Sequence, residues 1–289
     1  MISKSPAGFA ASTLQIGVMQ GRLLPKIAGR YQAHPRGYWQ DEFPIASDLG
    51  LQLIEFILDY DDFESNPLMS GGGCSQISDL SQQTGVSVKT VCADYFMEAP
   101  LHSSDKYLAN KSRKIFESLI DNASKIGITD IVLPLVDKSS IIQPELRQNF
   151  ISAITPILEK MRNKNIKICL ETDLPPIEFS ELLSNLDASN LAINYDIGNS
   201  AALGYNPSDE LKLYGQFISD IHIKDRTLGG PSVLLGEGDA DFEAVLEGLR
   251  QINYNGPLIL QAYRDESGLE IFKKQLDWFR KLLQRFDQT

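Results

Sequence analysis

The stretch DIHIKDR at positions 220–226 alternates like a strand, yet it places His222, Lys224 and Arg226 on one side and Ile221 and Ile223 on the other. An apolar core rejects an imidazole, an ammonium and a guanidinium in a row, so this side must line something polar. The chain as a whole is acidic, with 27 Lys and Arg against 38 Asp and Glu and a formal net charge of −11. Such a balance repels a phosphate backbone and argues against nucleic acid as a partner. A local cationic cluster on this background points instead to a small anionic ligand, most simply a phosphate or a carboxylate.

Those side chains need elements to hold them. With 289 residues, 43% of them hydrophobic, the chain can bury a large core, and no Pro-, Ser- or charge-rich linker divides it. Short β-rich runs fall at 14–19, 53–58, 88–93, 130–136, 166–171, 191–196, 217–224 and 257–262. Helical patterns lie between and after them, around 40–49, 75–84, 105–126, 144–163, 177–186, 207–215, 240–252 and 268–286. Asp105 is a plausible N-cap and Gly127 the C′ residue of the third of these. Eight β-then-α units over 1–289 predict a single-domain α/β fold, a (β/α)8 TIM barrel, with 1–12 as a disordered extension. The rival, an open doubly wound sheet, would carry a GxGxxG after an early strand, and none is present.

A barrel of this kind keeps its active site at the C-terminal ends of its strands. Polar residues collect at those ends: Gln20 and Arg22 after the first run, Glu55 in the second, Asp94 at the third, Glu171 and Asp173 at the fifth. Asp196 and Asn199 follow at the sixth, His222, Lys224 and Arg226 at the seventh, Gln261 and Arg264 at the eighth. Gln20, Arg22, Glu55, Asp94, Asn199, Lys224, Arg226 and Arg264 are therefore the candidate substrate contacts.

The segments GVMQGRL (17–23), LIEFILD (53–59), VCADYFM (91–97), CLETD (169–173), NYDIGN (194–199), HIKDR (222–226) and LGEGDADF (235–242) carry a resemblance over nearly the whole chain. Together, in this order, the sequence resembles the xylose-isomerase-like barrels, specifically the sugar phosphate isomerase/epimerase group that includes tagatose and psicose 3-epimerases. The resemblance implies one divalent metal held at the ends of strands five, six, seven and eight, which carries over to Glu171, Asp196, His222 and Gln261. Glu171 would also be the catalytic base. Gln261 departs from the family's Glu, and Asn199 from a frequent His after the Asp. Mn²⁺, Co²⁺, Zn²⁺ and Mg²⁺ all suit such a donor set.

The implied chemistry is proton abstraction beside a carbonyl, helped by a cation that stabilises the enediolate. An amide at 261 can ligate through oxygen, but it cannot exchange a proton at neutral pH. That favours a one-base aldose–ketose isomerisation over a two-base epimerisation, unless Glu55 or Lys224 replaces the missing group. A lyase or dehydratase stays open, as does a non-catalytic sugar-binding barrel without its metal. An endonuclease on this fold would need more than the three histidines present.

Bland readings stand beside these. Glu171 and Asp196 could pair with Lys224 and Arg226 in a structural ion network, and Arg264 could be a solvated loop charge. Gly71–Gly73 lacks the Lys and Ser/Thr of a phosphate loop and is expected to be flexible. His34 and His102 are expected at the surface, and LGEGDADF as a helix start capped by Asp239 or Asp241. The long segment 29–43, with Tyr31, Tyr38 and Trp39, is a lid or an interaction surface. Cys74, Cys92 and Cys169, odd in number and widely spaced, fit a reducing cytoplasm. No membrane span or signal-length apolar run is found, and a homodimer is the default expectation.

Overall fold

Eight aliphatic runs pair edge to edge until the last meets the first, because each must bury both faces. The computed structural model describes residues 9–186 and 189–289. The barrel strands are β1 (Ile16–Met19), β2 (Leu53–Ile57), β3 (Thr90–Cys92), β4 (Asp130–Leu135), β5 (Lys167–Thr172), β6 (Leu191–Asp196) and β7 (Ile218–Ile223). A short antiparallel ribbon of β8 (Asp225–Arg226) and β9 (Ser232–Val233) precedes β10 (Leu258–Leu260), which closes the barrel against β1. All eight barrel pairings are parallel, in the order β1-β10-β7-β6-β5-β4-β3-β2. The architecture is a (β/α)8 TIM barrel.

Ten α-helices accompany the strands among the described residues: α1 (Glu42–Asp48), α2 (Gly71–Thr84), α3 (Tyr95–Glu98), α4 (Lys106–Lys125), α5 (Pro144–Met161), α6 (Pro176–Leu186), α7 (Ile197–Leu203), α8 (Pro207–Tyr214), α9 (Phe242–Gln251) and α10 (Leu269–Phe286). Asp105 caps α4 by accepting from the Tyr107 and Leu108 amides at 2.8 and 3.3 Å, and Gly127 follows the helix at φ +76°. Asp241, rather than Asp239, caps α9 through the Ala244 amide at 2.9 Å. Inward-facing residues alternate with helix-facing ones along each strand, and Met19, Leu53, Ile57, Val132, Ala192 and Ile259 pack together inside. Gly17 belongs to this crowded interior. A Cβ there would lie 2.5 Å from Ile259 Cδ1 and 2.8 Å from Leu53 Cβ.

Several local expectations change. Residues 1–8 of the expected disordered extension lie outside the described residues, but 9–12 are part of the fold. Ala11 is buried and its amide donates to Asp287 Oδ1 at 2.6 Å, tying the chain start to the residue after α10. Gly71–Gly73 is not a flexible loop; it forms the first turn of α2, capped by Ser70, which accepts from the Gly73 amide at 3.1 Å. Only glycine fits at 73, where a Cβ would meet Pro67 O at 2.3 Å. His34 and His102 are buried rather than at the surface. The run 217–224 breaks at Lys224, so that Arg226 rides on the ribbon instead of ending a strand. All three cysteines are free and buried, and no described helix is long and apolar enough to cross a membrane.

Candidate active site

His222 faces the barrel interior from β7 and is fully buried. Its Nε2 lies 2.7 Å from Oε1 of Glu55, a residue of β2 that is also fully buried. Its Nδ1 looks toward the mouth, 3.4 Å from Glu171 Oε2 and 3.9 Å from Asp196 Oδ2. A carboxylate on Nε2 fixes the ring and directs the Nδ1 position at the two carboxylates beyond. Ligands bonded to one divalent ion sit roughly 3–3.5 Å apart. The two Nδ1 distances fall at or just beyond that spacing, and all three donor atoms lie within 4.8 Å of one another.

Each carboxylate has its own supports. Glu171, at the end of β5, accepts from Asn194 Nδ2 at 2.8 Å on one oxygen and from Asn199 Nδ2 at 2.7 Å on the other. Asp196 ends β6 and caps α7, accepting from the Asn199 amide at 2.8 Å, while its second oxygen meets Lys224 Nζ at 3.2 Å. Burial alone would raise the Asp196 carboxyl, but Lys224 and His222 outweigh it and hold it down to about 2. Burial would likewise lower the His222 imidazolium; Glu55, Asp196 and Glu171 instead hold it well above the usual histidine range. Beneath it, burial and the neighbouring Glu55 push the Asp220 carboxyl well above the usual carboxylate range. Two carboxylates and an imidazole nitrogen meeting at one point attract a cation, whether the proton that makes the ring an imidazolium or a metal that replaces it.

Gln261, at the rim just past β10, is nearly buried, and its Nε2 donates to Gln32 Oε1 at 3.0 Å. Its Oε1 has no hydrogen-bond partner among the described residues. An acceptor without a partner, lining the same cleft as Glu171, suits a fourth donor oxygen, so the residues present fit a divalent ion.

The mouth opens into a cleft of about 220 Å³ whose wall includes Arg22, Tyr31, Gln32, Cys92, Asp94, Glu171, Asn199, Lys224, Arg226 and Gln261. A second hollow of about 240 Å³ shares Asn199 and Arg226 with it. Lys224 and Arg226 converge on Asn199 Oδ1 at 3.1 and 2.9 Å, and Arg226 also donates to Gly230 O at 2.8 and 3.0 Å. Arg22 is buried, which lowers its guanidinium to about 10, and it donates to Ala262 O, Tyr31 O and Gln32 Oε1. The segment 29–43 folds over this wall, with Tyr31 and Gln32 facing the cleft and Trp39 buried against Phe56.

The structure thus brings Glu171, Asp196 and His222 to one point and sets Gln261, Arg22, Asp94, Asn199, Lys224 and Arg226 around the cleft beside it. Three other sequence-selected residues lie elsewhere. Glu55 is beneath His222, out of the cleft; Gln20 is buried, accepting from the Ile57 amide at 3.0 Å beside His34; Arg264 donates to Leu24 O at 2.6 Å in the loop after β1. Of the anticipated ion network only Lys224 to Asp196 forms, because Arg226 turns to Asn199 and Gly230. Asn194 and Gln32 escaped the sequence reading. Asn194 shares the inward face of β6 with Asp196, two positions away, so alternation could have found it; Gln32 sits in a loop, where spacing carries no signal.

A family described as xylose isomerase-like TIM barrel matches residues 43–282. An L-ribulose-5-phosphate 3-epimerase of Shigella flexneri is 26% identical over 256 residues, spanning 84% of this chain and 89% of the relative. Among solved structures, a D-psicose 3-epimerase in the presence of D-fructose superposes with TM-score 0.74 at 16% identity, covering 93% and 99% of the two chains. The IOLI protein with a binding zinc atom gives 0.75 at 16% identity, covering 94% and 99%.

Proposed function

The chain belongs to the xylose isomerase-like TIM barrel family, and from that premise we propose that it is a metal-dependent sugar-phosphate isomerase or epimerase, working on the carbon beside a carbonyl. The observation that carries this reading is the meeting of Glu171, Asp196 and His222 Nδ1 next to a cleft rimmed by Arg22, Lys224 and Arg226. Glu171, Asp196, His222 and the Oε1 of Gln261 would hold a divalent ion, which as a Lewis acid would polarise the substrate carbonyl and so acidify the neighbouring C–H.

Glu171 takes that proton. Asn194 and Asn199 hold both of its oxygens, so the base meets the substrate in one orientation. Asn199 is itself fixed by Lys224 and Arg226, which couples the cationic rim to the position of the base. The electron pair left by the proton moves into the carbonyl, giving an enediolate. Lys224 and Arg226 retain donors for an anionic end group, and a phosphate is favoured because curated relatives are named for L-ribulose 5-phosphate.

Epimerisation is favoured by the names of the relatives. One-base isomerisation is the second reading, favoured by the amide at 261. Incubation with L-ribulose 5-phosphate and Mn²⁺ in deuterium oxide separates both from a binding barrel. Deuterium is expected at the carbon beside the carbonyl, with a fall of about 10²–10⁴-fold in Glu171→Gln. No exchange by the metal-loaded protein on any ketose phosphate would refute an enolising catalyst.

A further inference from the structure

Inversion of a carbon beside a carbonyl needs one group to remove the proton and another to return one to the opposite face. Glu171 serves as the first under the reading above, on which this inference rests. We propose that Asp94, just past β3, is the second proton-transfer group of this site.

The cleft contains few competitors. Lys224 is tied to Asp196 and Asn199, and Asp137 is exposed at the edge. Cys92 is held well up as a thiol by burial and by Asp94, to which its Sγ donates at 3.1 Å. Asp94 is different: it lines the cleft, is 8% exposed, and forms no ion pair among the described residues. Burial raises its carboxyl to about 6, within reach of both protonation states near neutrality.

Its orientation is fixed through an amide chain. Gln32 Nε2 donates to Asp94 Oδ2 at 2.8 Å, while Gln32 Oε1 accepts from Gln261 Nε2 and from Arg22, each at 3.0 Å. The two donors on Oε1 decide which way the Gln32 amide points, and so place an N–H on Asp94. A carboxylate at 261 would put an acceptor against Oε1 and upset that orientation. The amide at 261 is therefore compatible with two-group chemistry in which the second carboxyl stands on a different wall.

The step balances without any co-reactant. Glu171 removes the proton and the C–H pair forms the enediolate. Protonated Asp94 then gives its O–H proton to the other face as the carbonyl re-forms. Glu171 ends protonated and Asp94 ionised, and exchange with solvent or reverse turnover resets both.

The test uses the full chain with Mn²⁺ and L-ribulose 5-phosphate in deuterium oxide, following inversion at C3 and deuterium at C3 of recovered starting sugar separately by NMR. Asp94→Asn is expected to lose inversion at least 100-fold while Glu171 still exchanges deuterium into the starting epimer. Inversion at the wild-type rate in Asp94→Asn would overturn the assignment alone. Loss of inversion and exchange together would also overturn it, reducing Asp94 to a structural role. A wild-type protein that exchanges no proton would sink the reading of the whole site, and this inference with it.

Discussion

Glu55 and His222 form the contact on which the candidate metal centre depends, a carboxylate holding an imidazole from behind at 2.7 Å. Glu55→Gln keeps an oxygen for Nε2–H but removes the charge that fixes the ring. Mn²⁺ affinity, followed by calorimetry, is expected to fall about 10–100-fold. Unchanged affinity would mean that His222 does not ligate. His102 supports a second prediction, remote from the site. Its ring packs edge-on against Phe150, its Nδ1 has no partner among the described residues, and burial lowers its pKa to about 4. The unfolded chain therefore takes up the proton first, near pH 6.5, and stability drains away as pH falls from there toward 4. Between pH 7 and pH 5 this residue is expected to withdraw about 2 kcal/mol, a loss absent from His102→Leu when the two proteins are compared by denaturant unfolding.

At the scale of elements, the strands were legible because each is an aliphatic run bounded by turn residues, and the helices between them because their apolar faces repeat. What escaped was short or did two jobs. α7 begins directly at Asp196, whose side chain caps it while also facing His222, so strand and helix abut without a loop to announce the change. The first strand of the β8–β9 ribbon was hidden inside HIKDR and its partner lay in the loop beyond, since two paired residues give no periodicity. The candidate metal donors were legible through resemblance and strand position; the amides that orient them, Asn194 and Gln32, were not. LGEGDADF does more than start α9. Asp225 accepts from the amides of Gly236, Gly238 and Ala240 at 2.8, 3.0 and 3.1 Å, and a Cβ at 238 would strike its Oδ1 at 2.2 Å. Asp225→Asn, which replaces one accepting oxygen by a donor, is expected to destabilise the fold by about 1–3 kcal/mol in denaturant unfolding. Because the ribbon also carries Arg226, KM for a sugar phosphate should rise more than kcat falls.

Across the whole molecule, barrel closure brings together groups at positions 171, 196 and 222 that are far apart in the chain, and it does so inside a protein of net charge −11. A phosphorylated substrate, as proposed, would be repelled at long range and attracted only at the cationic rim. Added salt should therefore weaken both effects, and Arg226→Gln should raise KM for a phosphorylated ketose by about tenfold or more while leaving an unphosphorylated one little changed. Metal binding to the folded state alone should raise its stability by about 4 kcal/mol at a thousandfold excess over Kd. The most direct measurement is a crystal grown with Mn²⁺ and examined by anomalous scattering. One peak bonded to Glu171, Asp196, His222 Nδ1 and Gln261 Oε1 is the predicted result; saturating Mn²⁺ with no peak among these residues would contradict the account.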